Sequence, residues 1–130
     1  MKVHHIGIIV DSIEESVKIY QTLDYSQISK KIIDREQNNY LIFMRSICGR
    51  QVLELIEPIN EQSSVYNSKK GFHHICFQVH DFKDIEKKFK TTKIGKIFTN
   101  TMEAPAFKGK RILFAYLKNG TIVEFLEKTK

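Results

Sequence analysis

Apolar and polar positions along the chain alternate in two rhythms, a strand rhythm and a helix rhythm, and the same order of rhythms occurs twice. Residues 3–10 form an apolar run of strand length rich in β-branched side chains. Asp11-Ser12-Ile13-Glu14-Glu15 follows, with Ser12 and Glu15 in capping-box relation. Ile13, Val17, Tyr20 and Leu23 then recur at helical spacing and predict a buried stripe. Three strand candidates come next, at 27–33, 39–45 and 51–57, the last two separated by Cys48-Gly49-Arg50. The second copy runs through a strand at 72–79, a helix capped by Asp81 with Phe82, Ile85 and Phe89 as its stripe, and strands at 95–98, 111–117 and 121–126. Lys118-Asn119-Gly120 carries the Asn-Gly hairpin signal between its last two strands.

Each half therefore reads βαβββ. Residues 1–58 make the first module, the polar stretch 59–71 a connector, and 72–130 the second module of one domain. A four-stranded half with a single helix leaves its opposite sheet face uncovered. The expected architecture is thus α+β: two tandem modules joined into a curved, mixed eight-stranded sheet around a cleft, with the helices outside.

The repeat also aligns chemistry. Val3-His4-His5-Ile6-Gly7 returns as Phe72-His73-His74-Ile75-Cys76, and Val52-Leu53-Glu54-Leu55-Ile56-Glu57 returns as Ile122-Val123-Glu124-Phe125-Leu126-Glu127. Because side chains alternate between faces of a strand, His74 shares a face with Cys76 and Gln78, and His5 shares one with Val3, Gly7 and Ile9. His4 and His73 fall on the other, core side. Glu54 lies mid-strand with Val52 and Ile56, and Glu124 with Ile122 and Leu126, where a carboxylate is costly to bury unless a cation or hydrogen-bond donors meet it. Glu57 and Glu127 stand at strand ends and need no such partner. Two neutral imidazoles and two carboxylates suit a borderline divalent cation and leave about two of six octahedral positions open. His5, Glu54, His74 and Glu124 are the expected ligands. Cobalt, manganese, nickel, zinc and iron all accept this mixture.

At 130 residues, with 42% hydrophobic and 28% charged residues, the composition is that of a soluble globular domain and not of a disordered chain. No apolar run approaches the roughly 18 residues that span a bilayer, and no signal peptide is visible, so a cytoplasmic protein without membrane association is expected. Cys48 and Cys76 lie outside any zinc spacing and read as reduced thiols, Cys76 packing inside a strand. The net charge of +6 comes from scattered lysines. With no nucleic-acid motif beside them, they read as a solvated surface able to steer an anionic small molecule.

His4-His5-Ile6-Gly7-Ile8-Ile9-Val10-Asp11, Gly71-Phe72-His73-His74-Ile75-Cys76-Phe77, Ala104-Pro105-Ala106-Phe107 and the stretch from Gly120 to Glu127 together resemble the vicinal oxygen chelate superfamily. Glyoxalase I, methylmalonyl-CoA epimerase, extradiol dioxygenases and fosfomycin resistance proteins belong to it. The resemblance spans essentially the whole chain and is strongest to the methylmalonyl-CoA epimerase branch, through the Gly-x-His-His-Ile-Cys stretch and the short length. It implies paired βαβββ modules and a divalent metal on His5, Glu54, His74 and Glu124. It also implies a further acid/base glutamate on the turn before the third strand, which counting back from Phe43 places at Glu36, paired with Glu124.

The implied activity is a metal-dependent epimerase or isomerase working through an enolate, on a small anionic acyl thioester or thiol adduct. Lactoylglutathione lyase chemistry on the same ligands is the enzymatic alternative, and a non-catalytic binding or resistance protein is the other. A homodimer is expected by analogy. Lys108, Lys110 and Lys118 are candidates to meet carrier phosphates, although no Gly-rich phosphate loop accompanies them.

Overall fold

A computed structural model describes residues 1–128. Its elements run β1 (Lys2–Ile9), α1 (Ile13–Gln21), β2 (Tyr25–Gln27), β3 (Ile32–Asp34), β4 (Asn39–Ser46), β5 (Val52–Pro58), β6 (Gly71–Val79), α2 (Phe82–Thr92), β7 (Gly95–Ile97), β8 (Met102–Glu103), β9 (Arg111–Leu117) and β10 (Ile122–Glu127). The chain divides into two compact units, His5–His73 and the chain from His74 on with Met1–His4. Both are built on one α+β plan.

In the unit His5–His73 the strand order is β2-β4-β5-β1, with β3 also paired to β4. β1 and β5 run parallel, placing Gly7 beside Glu54, and β4 and β5 form an antiparallel hairpin that sets Phe43 opposite Glu54. Helix α1 starts where Ser12 Oγ accepts the Glu15 N–H at 3.2 Å, and Glu57 Oε1 accepts the Ile13 N–H at 2.8 Å. The strand-end glutamate that seemed to need no partner thus caps the helix that covers its own sheet. Ile13 and Val17 bury with Ile42, Met44, Leu53 and Leu55 on the helix side. Leu23, expected in that stripe, lies beyond the end of α1 and is exposed, because the helix closes at Gln21.

The other unit repeats the plan as β6-β10-β9-β7, with β8 on β9. β6 and β10 are parallel, with Cys76 beside Glu124, and Phe114 of β9 stands opposite Glu124. Asp81 caps α2 by accepting the Lys83 N–H at 2.9 Å, and Phe82, Ile85 and Phe89 pack on Leu113, Ala115, Val123 and Phe125. Glu127 at the end of β10 is buried in a bidentate pair with Arg111, at 2.8 and 2.9 Å. Gly120, at φ +89, supplies the left-handed step of the β9–β10 turn.

Ten strands are present among the described residues where eight were expected. The reason is the same in both halves. The run 27–33 breaks into β2 and β3 because the Ser29 hydroxyl, not a strand backbone, accepts the Phe43 N–H at 2.9 Å. Thr99 Oγ1 does the same for the Phe114 N–H, also at 2.9 Å, between β7 and the added β8. The fold class itself is as read.

The connector is less simply polar than its composition suggests. Val65 is buried against Ile9, Leu41 and Ile56, on the sheet face opposite α1. Ser63 Oγ donates to Asn39 Oδ1 at 2.5 Å, and the Ser64 N–H donates to the Gln37 carbonyl at 2.9 Å. These bonds tie residues 59–70 to the β3–β4 turn.

Candidate functional site

Each unit presents one imidazole–carboxylate pair, built by the same local rule. In the unit His5–His73, His5 of β1 and Glu54 of β5 lie on the sheet face away from α1, two residues out of register. Gly7, two residues after His5, is the residue beside Glu54. Its lack of a side chain leaves the diagonal open for ring and carboxylate to meet. His5 Nε2 and Glu54 Oε1 stand 3.5 Å apart, with the residues only 2% and 8% exposed. The Phe43 ring meets the His5 ring edge-on, with centroids 5.4 Å apart.

The other unit reproduces this arrangement closely. His74 Nε2 lies 3.0 Å from Glu124 Oε1, at 2% and 6% exposure. The small residue in the place of Gly7 is Cys76, fully buried. Phe114 meets the His74 ring edge-on at 5.6 Å. Phe43 and Phe114 are the residues whose N–H groups Ser29 and Thr99 hold, so each strand break also fixes the phenyl ring against its histidine. Edge-on aromatic packing and a carboxylate on the same ring set its orientation from two directions.

His5 with Glu54, and His74 with Glu124, are therefore brought together as the repeat implies. His4 and His73 are half-buried, His4 lying edge-on to Phe107 at 4.9 Å. Cys76 packs with Ala104, Ile112, Phe114 and Leu126, as its place in an apolar strand suggests. Glu36 lies on the β3–β4 turn, closed by Asn38 at φ +60, and its side chain is exposed.

A carboxyl that sequence reasoning missed lies on the same sheet face as His5 and Glu54. Asp34, at the end of β3, is opposite Asn39 of β4, while Ile32 is opposite Leu41. In β4, Asn39 and Leu41 share a face with Phe43, so Asp34 lies on the same face as Glu54 and His5. It is 2% exposed. Burial pushes its carboxyl pKa up, against the N–H groups of Gln37 and Glu36 that it accepts, and the charge of Glu54 pushes it further in the same direction. The parity that would have revealed it is lost at the break beside Ser29.

Residues 4–114 match the family described as the Glyoxalase/Bleomycin resistance protein/Dioxygenase superfamily. Among curated relatives, the mitochondrial methylmalonyl-CoA epimerase of Dictyostelium discoideum is 27% identical, over 98% of this chain and 78% of the relative. Among solved structures, methylmalonyl-CoA epimerase from Mycobacterium tuberculosis superposes with a TM-score of 0.81 at 17% identity, covering 99% of this chain and 89% of that one. A Streptomyces coelicolor methylmalonyl-CoA epimerase variant in complex with 2-nitronate-propionyl-CoA gives a TM-score of 0.79 at 20% identity, over 100% and 99% of the two chains.

Proposed function

Since the chain belongs to the Glyoxalase/Bleomycin resistance protein/Dioxygenase superfamily, we propose that it is a metal-dependent epimerase that inverts the carbon between a carboxylate and a thioester, as in a methylmalonyl-CoA type substrate. The observation that carries this reading is the duplicated pair, a buried imidazole beside a buried carboxylate in each half. Neutral nitrogen and carboxylate oxygen donors in that proportion fit a borderline divalent cation, so His5, Glu54, His74 and Glu124 would hold one ion jointly. Bound there, the ion would supply a Lewis-acid charge that lowers the cost of making an enolate from the substrate.

The chain's own residues then move the proton. A carboxylate that reaches the α-carbon takes its proton as general base, and an acid on the other face returns one with inverted geometry. Glu124, acting also as ligand, takes one of these roles and a carboxyl of the first half takes the other, for which the sequence resemblance offers Glu36. The naming of relatives as methylmalonyl-CoA epimerases supports the substrate class. A cytoplasmic homodimer remains the expected setting.

The reading is tested by α-proton exchange in heavy water. Metal-loaded protein with a 2-methylmalonyl thioester should wash deuterium into the α-position and racemise it, and Glu124→Gln should suppress both by roughly 100-fold or more. Turnover of the methylglyoxal–glutathione hemithioacetal with no exchange on the thioester would contradict the epimerase assignment.

A further inference from the structure

The two halves share the histidine, glutamate and phenylalanine of this face, and among the positions where they differ is one that carries a carboxyl in the first half alone. By the register of each hairpin, Phe43 corresponds to Phe114 and Leu41 to Ile112, so Ile32 corresponds to Met102 and Asp34 to Ala104. In the half carrying Glu124, that place is apolar: Ala104 is buried with Ile112, Phe114 and Leu126. The half carrying Glu54 puts a carboxyl there, on the face of its metal-type pair.

We infer that Asp34 is a second proton-transfer carboxyl of the first half, reaching the α-carbon of the bound substrate from the face that carries His5 and Glu54. This inference rests on the epimerase reading above. Among the described residues, none of the ion pairs involves Asp34. Its oxygens accept the Gln37 N–H at 3.1 Å and the Gln37 Nε2 at 3.0 Å. Gln37 is itself held from the connector, since Ser64 Oγ donates to its Oε1 at 3.2 Å and Asn39 Nδ2 donates to Ser64 Oγ at 3.4 Å. A relay of neutral groups running back to Ser63 thus fixes the carboxyl without neutralising it by a cation. Burial keeps its proton on to higher pH than usual, which suits a donor.

In the step assigned to it, the protonated carboxyl gives its O–H proton to the α-carbon of the enolate as the carbonyl re-forms, and is left as carboxylate. In the opposite direction the carboxylate takes the α-proton and the C–H pair becomes the enolate π bond. No other reactant is needed.

A purely structural Asp34 would do nothing but close the turn through Gln37, and asparagine keeps the acceptor for the Gln37 N–H that closes it. Asp34→Asn in the metal-loaded full chain therefore separates the roles. The expected result with a 2-methylmalonyl thioester is kcat for α-proton exchange lowered by roughly 100-fold, with KM and metal content within about twofold of wild type and an unchanged circular dichroism spectrum. Wild-type exchange in Asp34→Asn overturns this inference and leaves the epimerase reading standing. A wild-type protein that exchanges no α-proton overturns both. A loss in Asp34→Asn that comes with lost metal or lost structure is also against the proposal, since it assigns Asp34 to fixing the site.

Discussion

A carboxylate held away from water in mid-strand is costly unless a donor or cation meets it, and Glu54 and Glu124 each have an imidazole, at 3.5 and 3.0 Å. Replacing either ring, by His5→Ala or His74→Ala, should lower the affinity for a divalent ion by at least about tenfold. Metal analysis after equilibrium dialysis checks this, and full retention in either variant would detach that residue from the site. Asp34 gives a second prediction, from linkage. Its pKa is raised above the ordinary 3.8, so the native state keeps the proton where the unfolded chain has released it. That contribution is fully present below the unfolded value and is lost as pH rises through the native one. The Asp34→Asn variant has nothing to lose there, so its urea midpoint relative to wild type should be higher at pH 7 than at pH 3. A difference independent of pH would contradict the raised value. The four paired residues were legible because the repeat displayed each one twice. Asp34 was not, since its counterpart is Ala104 and nothing repeats to mark it.

At the scale of elements, hydrophobic rhythm was enough to locate both helices and their caps, Ser12 and Asp81. It failed where side chains interrupt a strand. Ser29 and Thr99 are ordinary strand residues by propensity, yet each hydroxyl takes the N–H of the phenylalanine that packs on a site histidine. Ser29→Ala or Thr99→Val leaves that N–H without its partner, a loss on the order of 1 kcal/mol or more. Chemical denaturation should show the cost, and the ring resonances of His5 or His74 should shift with it. Unchanged stability and spectra would mean that water or a neighbouring strand replaces the hydroxyl. Leu23 shows the converse error, a periodic residue left exposed because α1 has already closed. A further check concerns Glu57, whose carboxylate holds the Ile13 N–H. Glu57→Ala should cost about 1 kcal/mol by loss of that cap, read as a lower urea midpoint with metal binding intact.

For the molecule as a whole, duplication explains why so short a chain could be read so far. Each half follows the βαβββ plan with the strand after its helix broken in two, a helix on one face of its sheet and an imidazole–carboxylate pair on the other. Family membership gives the fold a known lineage, and no helix among the described residues is long and apolar enough to cross a membrane. What the sequence concealed is the asymmetry laid over the repeat: the connector's Val65 and Ser63 packed on one half, and a carboxyl on that half alone. Such features have no internal copy and depend on contacts between residues distant in sequence, here Asn39 with Ser63 and Gln37 with Ser64. The most direct measurement of the central claim is the stoichiometry of divalent metal in the purified chain and in variants of His5, Glu54, His74 and Glu124. One ion per chain, diminished by each of the four substitutions, is the expected result. No stoichiometric ion, or two ions lost independently from the two halves, would contradict it.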